Sequence, residues 1–227
     1  MTDNAPWLII DSGSPRAMVG VASKEKVLAE TFMDGHRKHA ETLSQALTDC
    51  LDTASLSLDQ ICGVAVGRGP GSFVGVRVAM STAKGLAFAK EKPLLGLCPL
   101  IALANEPNVP AGRGLSILDA RKGELYFRLI DKKPGKLCTS EAEGTMAPHL
   151  LEKHYQGLDF VVGHGIDLFS ENYLKNLRVL RLMGPTAEGY RHALLNAEPF
   201  SDELFSLAPH YWRAPDAKMP APSPFAS

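Results

Sequence analysis

Residues 67–90, GRGPGSFVGVRVAMSTAKGLAFAK, join a glycine-rich turn to a run in which Gly75, Ala79, Ala83 and Ala87 recur at every fourth position. That spacing predicts a helix over 72–90 with a ridge of small side chains on one side, flanked by Val76, Met80 and Leu86. So flat a ridge lets another element approach the helix backbone closely, so this side is expected inside the fold. The opposite side carries Arg77, Ser81, Lys84 and Phe88, with Val74 beside them. An aromatic ring within a basic stripe suits a protein interface better than a surface facing only water. These five residues are therefore the expected partner interface, with helix 39–54 assisting; the competing reading is that Phe88 folds under a neighbouring loop.

Strands must supply what the ridge packs on. ICGVAV (61–66) precedes the turn and PLLGLC (93–98) follows the helix, the first reading as a strand buried on both faces. Upstream, WLIID (7–11), RAMVGVAS (16–23) and KVLAETF (26–32) are separated by short turns and read as an antiparallel meander. HAETLSQALTDCLDTA (39–54) places Ala40, Leu43, Leu47, Cys50, Leu51 and Ala54 on one helical face. The order is β-β-β-α-β-α-β. A proline- and glycine-rich loop at 105–114 follows, then strands at 115–120, 124–131, 160–165 and 178–183 and a helix starting near Thr186. Both halves open with an apolar strand ending in aspartate, a short turn and a second strand, a weak internal repeat that predicts two related lobes. The expected division is 1–104 for the first lobe and 105–212 for the second, whose last helix can pack back on the first. Residues 213–227 form a proline- and serine-rich tail expected to be disordered.

Composition narrows the function. With 227 residues, 45% of them hydrophobic, the chain can bury a substantial core, and a net charge of −1 argues against gripping nucleic acid alone by counterion release. A role on RNA shared with a partner stays open. Cys50, Cys62, Cys98 and Cys138 are far apart and read as reduced thiols, which together with the absence of a signal-like N-terminus points to the cytoplasm. No apolar stretch is long enough to span a membrane.

Two turns are the candidates for phosphate or nucleotide contacts. In IIDSGS (9–14), Asp11 and Ser12 stand at a strand end, where backbone N–H groups and a hydroxyl can hold a phosphate; Asp, Gly and Ser equally make an ordinary turn. In GRGPGS (67–72), Gly69 and Gly71 permit close approach and Ser72 is a natural N-cap, so anion binding and plain capping compete. The turn is neither a Walker A motif nor a dinucleotide fingerprint. Asp119 in DARKGE (119–124) is either a second clamp facing the first or a charged turn. His36 and His39 lack a third ligand nearby and read as a solvated helix start, and His164 and His192 are single. No catalytic set and no metal site is expected.

At 67–104 the sequence resembles the TsaB (YeaZ) family, whose members carry a GPGSFTGLR-type turn, an AKGLA helix and a PLxGVSSLEALA segment. KHAETL (38–43), DARKGELYF (119–127) and APHYWR (208–213) resemble three further family segments in the expected order. The resemblance implies an α/β, two-lobed actin-like or sugar-kinase-like (ASKHA) fold, each lobe a mixed sheet with helices packed on it. It also implies a part in making N6-threonylcarbamoyladenosine on the tRNA adenosine beside the anticodon, as a non-catalytic partner of the catalytic subunit TsaD. The ATPase TsaE joins through the complex, tRNA is reached through the complex, and the chain alone is expected to form a homodimer. ATP or ADP and magnesium are used by the complex, with no cofactor bound tightly by this chain. TsaD-type subunits hold metal through two histidines four apart, at places that correspond here to Pro99 and Leu103, neither of which has a ligand atom in its side chain. The chain departs from the family pattern at Ser12, Gly13, Val74 and Ile101. The alternatives are a freestanding actin-like phosphotransferase using Asp11 and Asp119, and a TsaD-like metallopeptidase.

Overall fold

In the computed structural model, which describes residues 5–33, 39–134, 138–195 and 206–212, every residue of Trp7–Asp11 (β1), Ala17–Ala22 (β2) and Gly63–Gly67 (β4) is buried. Strands apolar on both faces must be covered on both sides, and they form the middle of a mixed sheet ordered β3-β2-β1-β4-β5, with β3 at Val27–Met33 and β5 at Leu94–Leu97. Alternation along β1 sends Leu8 and Ile10 to one face, under helices His39–Ala54 (α1) and Phe73–Ala89 (α2). Trp7 and Ile9 point to the other face, where Ala187 and Tyr190 of the last helix, Ala187–Leu194 (α6), complete a second cluster. The small-residue ridge is inside: α2 buries Gly75, Val76, Ala79, Met80, Ala83 and Ala87.

The second half repeats the first strand for strand. Gly112–Arg121 (β6), Glu124–Lys132 (β7), Cys138–Met146 (β8), Phe160–Gly163 (β9) and Arg178–Arg181 (β10) form a sheet ordered β10-β9-β6-β7-β8. As with β1, the first strand β6 pairs antiparallel with the next strand and parallel with the fourth. Pro148–His154 (α4) and Glu171–Leu174 (α5) stand in the chain where α1 and α2 stand in the first half. A short helix, Pro99–Ala104 (α3), follows β5 as α6 follows β10. These two closing helices are exchanged: α3 packs on β6, β7 and β9, α6 packs on β2, β3 and β5, and the two pack on each other.

Five of the helices and strands depart from the sequence reading, among them α5, whose four residues are too few to show a period. PLIALA is apolar all round and only six residues long, so α3 carries no periodic signal. CTSEAEGTM is polar and mostly at the surface, so β8 shows little of the buried alternation expected of a strand. The seven-residue α4 is likewise too short to display a face. β6 begins at Gly112, inside the expected loop, because its edge residues pair with β7 as far out as Gly112↔Lys132. The tail at 213–227 and His36 lie outside the described residues.

The crossing of α6 onto the first sheet depends on a buried carboxylate. Glu106, just after α3, accepts from the Thr186 backbone N–H at 2.6 Å and from the Thr186 hydroxyl at 3.0 Å, while Glu30 of β3 accepts from Ala187 N–H at 3.0 Å. These bonds satisfy donors that a helix start leaves open, with negative charge at the favourable end of the helix. Burial nonetheless pushes the Glu106 carboxyl above its ordinary value, the Thr186 bonds only partly opposing it. The folded chain therefore holds this proton to higher pH than the unfolded chain does. Its contribution to stability is greatest below the ordinary carboxylate range and declines as pH rises through the raised value. Glu106→Gln, which cannot ionise, should gain stability relative to the parent chain across that window, read as the difference in urea unfolding free energy at successive pH values. A difference that stays flat with pH would contradict this account.

Candidate functional site

Where β1 ends, the loop 11–14 and the glycine turn 67–72 meet backbone against backbone. Asp11 is buried, its Oδ1 accepting from Gly13 N–H at 2.8 Å and its Oδ2 from the Ser14 hydroxyl at 2.7 Å. The Ser12 hydroxyl donates to the Gly75 carbonyl at 2.7 Å, and Ser72 N–H donates to the Gly13 carbonyl at 2.7 Å. Ser72 is the N-cap of α2, its side chain accepting from Gly75 N–H at 3.3 Å. Contact is so close that a Cβ at Gly75 would lie 1.8 Å from the Ser12 carbonyl oxygen, and one at Gly71 2.5 Å from that of Gly13. Gly69 adopts φ +98°, and the His210 carbonyl oxygen would be 3.0 Å from a Cβ there.

Of the residues proposed from sequence for phosphate contacts, Asp11, Ser12, Gly71 and Ser72 are thus brought together, with Gly69 next to them under His210. Their polar groups bond to one another, which is the chemistry of capping and close packing. Asp119 sits in the other sheet at the end of β6, where its Oδ1 accepts from Arg121 N–H at 2.7 Å. It shapes a left-handed hairpin turn, with φ of 66° at Arg121, 55° at Lys122 and 77° at Gly123. Sequence reasoning missed Tyr190, whose fully buried hydroxyl sits with Asp11 over Gly67. Burial, reinforced by the Asp11 charge, raises this phenol well above its ordinary value, so it stays protonated.

The outer side of α2 is the second feature. Val74 is 68% and Phe88 65% exposed, Arg77 and Ser81 are exposed between them, and Lys84 is half-buried. Phe73 and Tyr211 extend the stripe: their rings lie 5.1 Å apart, and the Arg77 guanidinium sits 3.7 Å over the Phe73 ring while its Nε donates to the Tyr211 hydroxyl at 2.9 Å. A groove of about 400 Å³ runs alongside between α1 and α2, lined by Leu47, Leu51, Leu58, Ser81, Gly85 and Leu86. Tyr211, within the APHYWR segment, lies 134 positions from Arg77, so no local periodicity joins the two.

Among the described residues, no group of three or more His, Cys, Asp and Glu side chains is placed to hold one metal ion, and no helix is long and apolar enough to cross a membrane. Pro99 and Leu103 are buried in α3.

Comparison with known proteins gives these features a setting. The family described as TsaD, tRNA N6-adenosine threonylcarbamoyltransferase, matches residues 26–142. The tRNA threonylcarbamoyladenosine biosynthesis protein TsaB of Escherichia coli is 34% identical over 125 residues, covering 54% of this chain and 54% of that protein, so the match spans about half its length. TsaB of Bacillus subtilis is 25% identical over 218 residues, covering 93% of this chain and 95% of that protein. The solved structure of YeaZ from Pseudomonas aeruginosa superimposes with a TM-score of 0.78 at 25% identity, covering 91% of this chain and 99% of that one. The architecture is accordingly the two-lobed actin-like, sugar-kinase-like α/β fold.

The junction at the start of α2 makes a paired prediction. Gly75→Ala forces a methyl group into the Ser12 backbone and should destabilise the chain by about 3 kcal/mol or more. Gly85→Ala, ten residues on in the same helix with nothing within 4 Å of its Cβ, should instead stabilise it by about 0.5–1 kcal/mol. Chemical denaturation of both variants checks this; equal effects would mean that the approach of the loop 11–14 to α2 is not what requires glycine.

Proposed function

The chain belongs to the TsaD family and, within it, to the TsaB (YeaZ) group, and from that premise we propose that it is a non-catalytic subunit of the assembly that makes N6-threonylcarbamoyladenosine on the tRNA adenosine beside the anticodon. It acts in the cytoplasm by pairing through the outer side of α2 with TsaD, and alone it pairs with a second copy through the same side. The observation that carries this reading is the stripe Val74, Arg77, Ser81 and Phe88, with two apolar side chains about two-thirds exposed at its ends. Aromatic and arginine side chains of this kind dominate protein interfaces.

Three further points support a scaffold. Pro99 and Leu103, which the family resemblance sets at the places of the metal-binding histidines of TsaD-type subunits, have no donor atoms in their side chains. The Asp11 carboxylate is engaged by Gly13 and Ser14, which disfavours the reading as a freestanding phosphotransferase. With a net charge of −1 the chain is poorly suited to hold tRNA by itself, so tRNA, TsaE, nucleotide and magnesium are met through the assembly.

The test is the double variant Phe88→Asp with Lys84→Glu, titrated against TsaD from the same cell and run on size-exclusion chromatography, with circular dichroism to check folding. Placing unpaired acids in the interface should weaken binding by about 100-fold or more, roughly 3 kcal/mol. Threonylcarbamoylation of tRNA reconstituted with TsaD and TsaE should fall in parallel. A folded variant that binds TsaD as the parent does would remove α2 from the interface, and tRNA modification by this chain without TsaD would overturn the scaffold reading.

A further inference from the structure

The segment Leu207–Trp212 runs from one sheet to the other, and its residues meet different parts of the molecule. Leu207 packs against the first sheet's helix-side cluster and lies over Gly96 of β5, where a Cβ would be 2.6 Å from its side chain. The His210 backbone N–H donates to the Arg68 carbonyl at 2.7 Å, beside the glycine turn. Tyr211 stacks on Phe73 and accepts from Arg77 on α2. Trp212 has crossed to the second sheet: its ring stands edge-on to Tyr126 of β7 at 6.2 Å, 5.7 Å from the Arg128 guanidinium, and packs with Leu100, Leu103 and Leu118. The Trp212 indole N–H donates to His210 Nδ1 at 3.2 Å, which ties the last three residues of this bridge together and requires that nitrogen to carry no proton.

Tyr211 is thus the residue through which the bridge touches the exposed stripe, and it stands between two anchors. Neither Phe73 nor Arg77 is fixed by α2 alone. Phe73 is at the helix's first position and 38% exposed, and the bond from Arg77 Nε goes to Tyr211 rather than to a neighbour on the helix. A stacked trio at a helix start is ordered only as well as its most remote member.

We propose that Leu207–Trp212 is a clasp that fastens the second sheet to the α2 docking face, so that seating Trp212 on β7 is what holds Tyr211, and with it Phe73 and Arg77, in the arrangement a partner meets. Tyr211 and Trp212 are on this account positioning residues. By linkage, a partner that docks on the ordered trio tightens the clasp, and a loosened clasp weakens the partner by the same factor. Docking on α2 is in this way communicated to the second half of the molecule. The coupling to a partner rests on the function proposed above; the clasp itself does not.

The experiment uses the full chain with Trp212→Ala, which removes the anchor on the second sheet, and Trp212→Phe, which keeps an aromatic ring there. In the free protein, hydrogen exchange at Arg77 Nε–H, followed by nitrogen-15 NMR, should be about tenfold faster in Trp212→Ala and close to the parent in Trp212→Phe. Exchange unchanged in Trp212→Ala would overturn the clasp. Calorimetric titration with TsaD should show about tenfold weaker binding for Trp212→Ala and recovery for Trp212→Phe. Faster exchange with unaltered TsaD affinity would overturn the coupling. If the parent chain itself does not bind TsaD, the docking reading falls and the coupling with it, while the exchange measurement still decides whether the clasp exists.

Discussion

The contact on which the rest of this structure depends is between two stretches of backbone: the loop leaving β1 and the start of α2. Ser12 and Gly13 give a hydroxyl and a carbonyl to α2 and its cap, and glycine at 71 and 75 lets the chains meet where a side chain would hold them apart. With the helix seated there, its small-residue ridge lies on the sheet over its whole length, and burial of Ala79, Ala83 and Ala87 follows. The same rotation about the helix axis leaves Val74, Arg77, Ser81 and Phe88 outermost. The exposed stripe is thus a geometric consequence of the junction, since a helix with one flat buried side has little freedom over what its other side presents.

The exchanged closing helices give the second level of constraint. Two five-stranded sheets of the same topology need not stay together, but α3 and α6 each leave the sheet that precedes them, cover the other, and pack on each other between the two. Apolar burial drives this, yet the crossing is fixed by polar groups: Glu106 beyond α3 caps α6, and Tyr190 of α6 reaches the Asp11 end of β1. A buried polar group that is satisfied in only one arrangement, as Glu106 is by Thr186, specifies that arrangement. The bond from Arg16 N–H to the Met183 carbonyl, at 3.0 Å, adds a backbone tie between the loop after β1 and the chain entering α6.

Much of this was legible because the informative elements are long or strongly patterned. The strands 7–11 and 124–131, the helix 39–54 and the helix 72–90 with its Ser72 cap lie within a residue or so of where alternation and periodicity put them. The likeness of the two halves was visible only in their opening strands, since α5 has four residues where α2 has seventeen, and β8 is largely polar. Of the candidate site, the five α2 residues were legible because one helix carries them all. Tyr211 joins that surface, and Trp212 the second sheet, through contacts between segments far apart in the chain, which no local pattern records. Glu106 and Tyr190 were illegible for another reason: a buried acid or phenol is recognised by its partners, and here those partners are in other elements.

A strand-end DxGS and a glycine turn opening a helix are also what a phosphate cradle is made of, so the same residues admit two uses. What separates them is where the donors point. A helix start that binds an anion keeps its first N–H groups and its cap hydroxyl directed outward. Here Ser72 N–H is given to Gly13, Gly75 N–H to the Ser72 hydroxyl, Val76 N–H to the Ser72 carbonyl, and the Ser12 hydroxyl to Gly75. His210, the backbone of which bonds to Arg68, covers the turn at Gly69. A ligand would have to displace these bonds, each costly to break unless replaced in kind, and to lift the segment that meets Phe73 and Arg77. Holding phosphate at this turn and the docking use proposed for α2 are therefore opposed uses of one junction, and the bonds made by Ser72, Gly75 and Ser12 weigh against the phosphate.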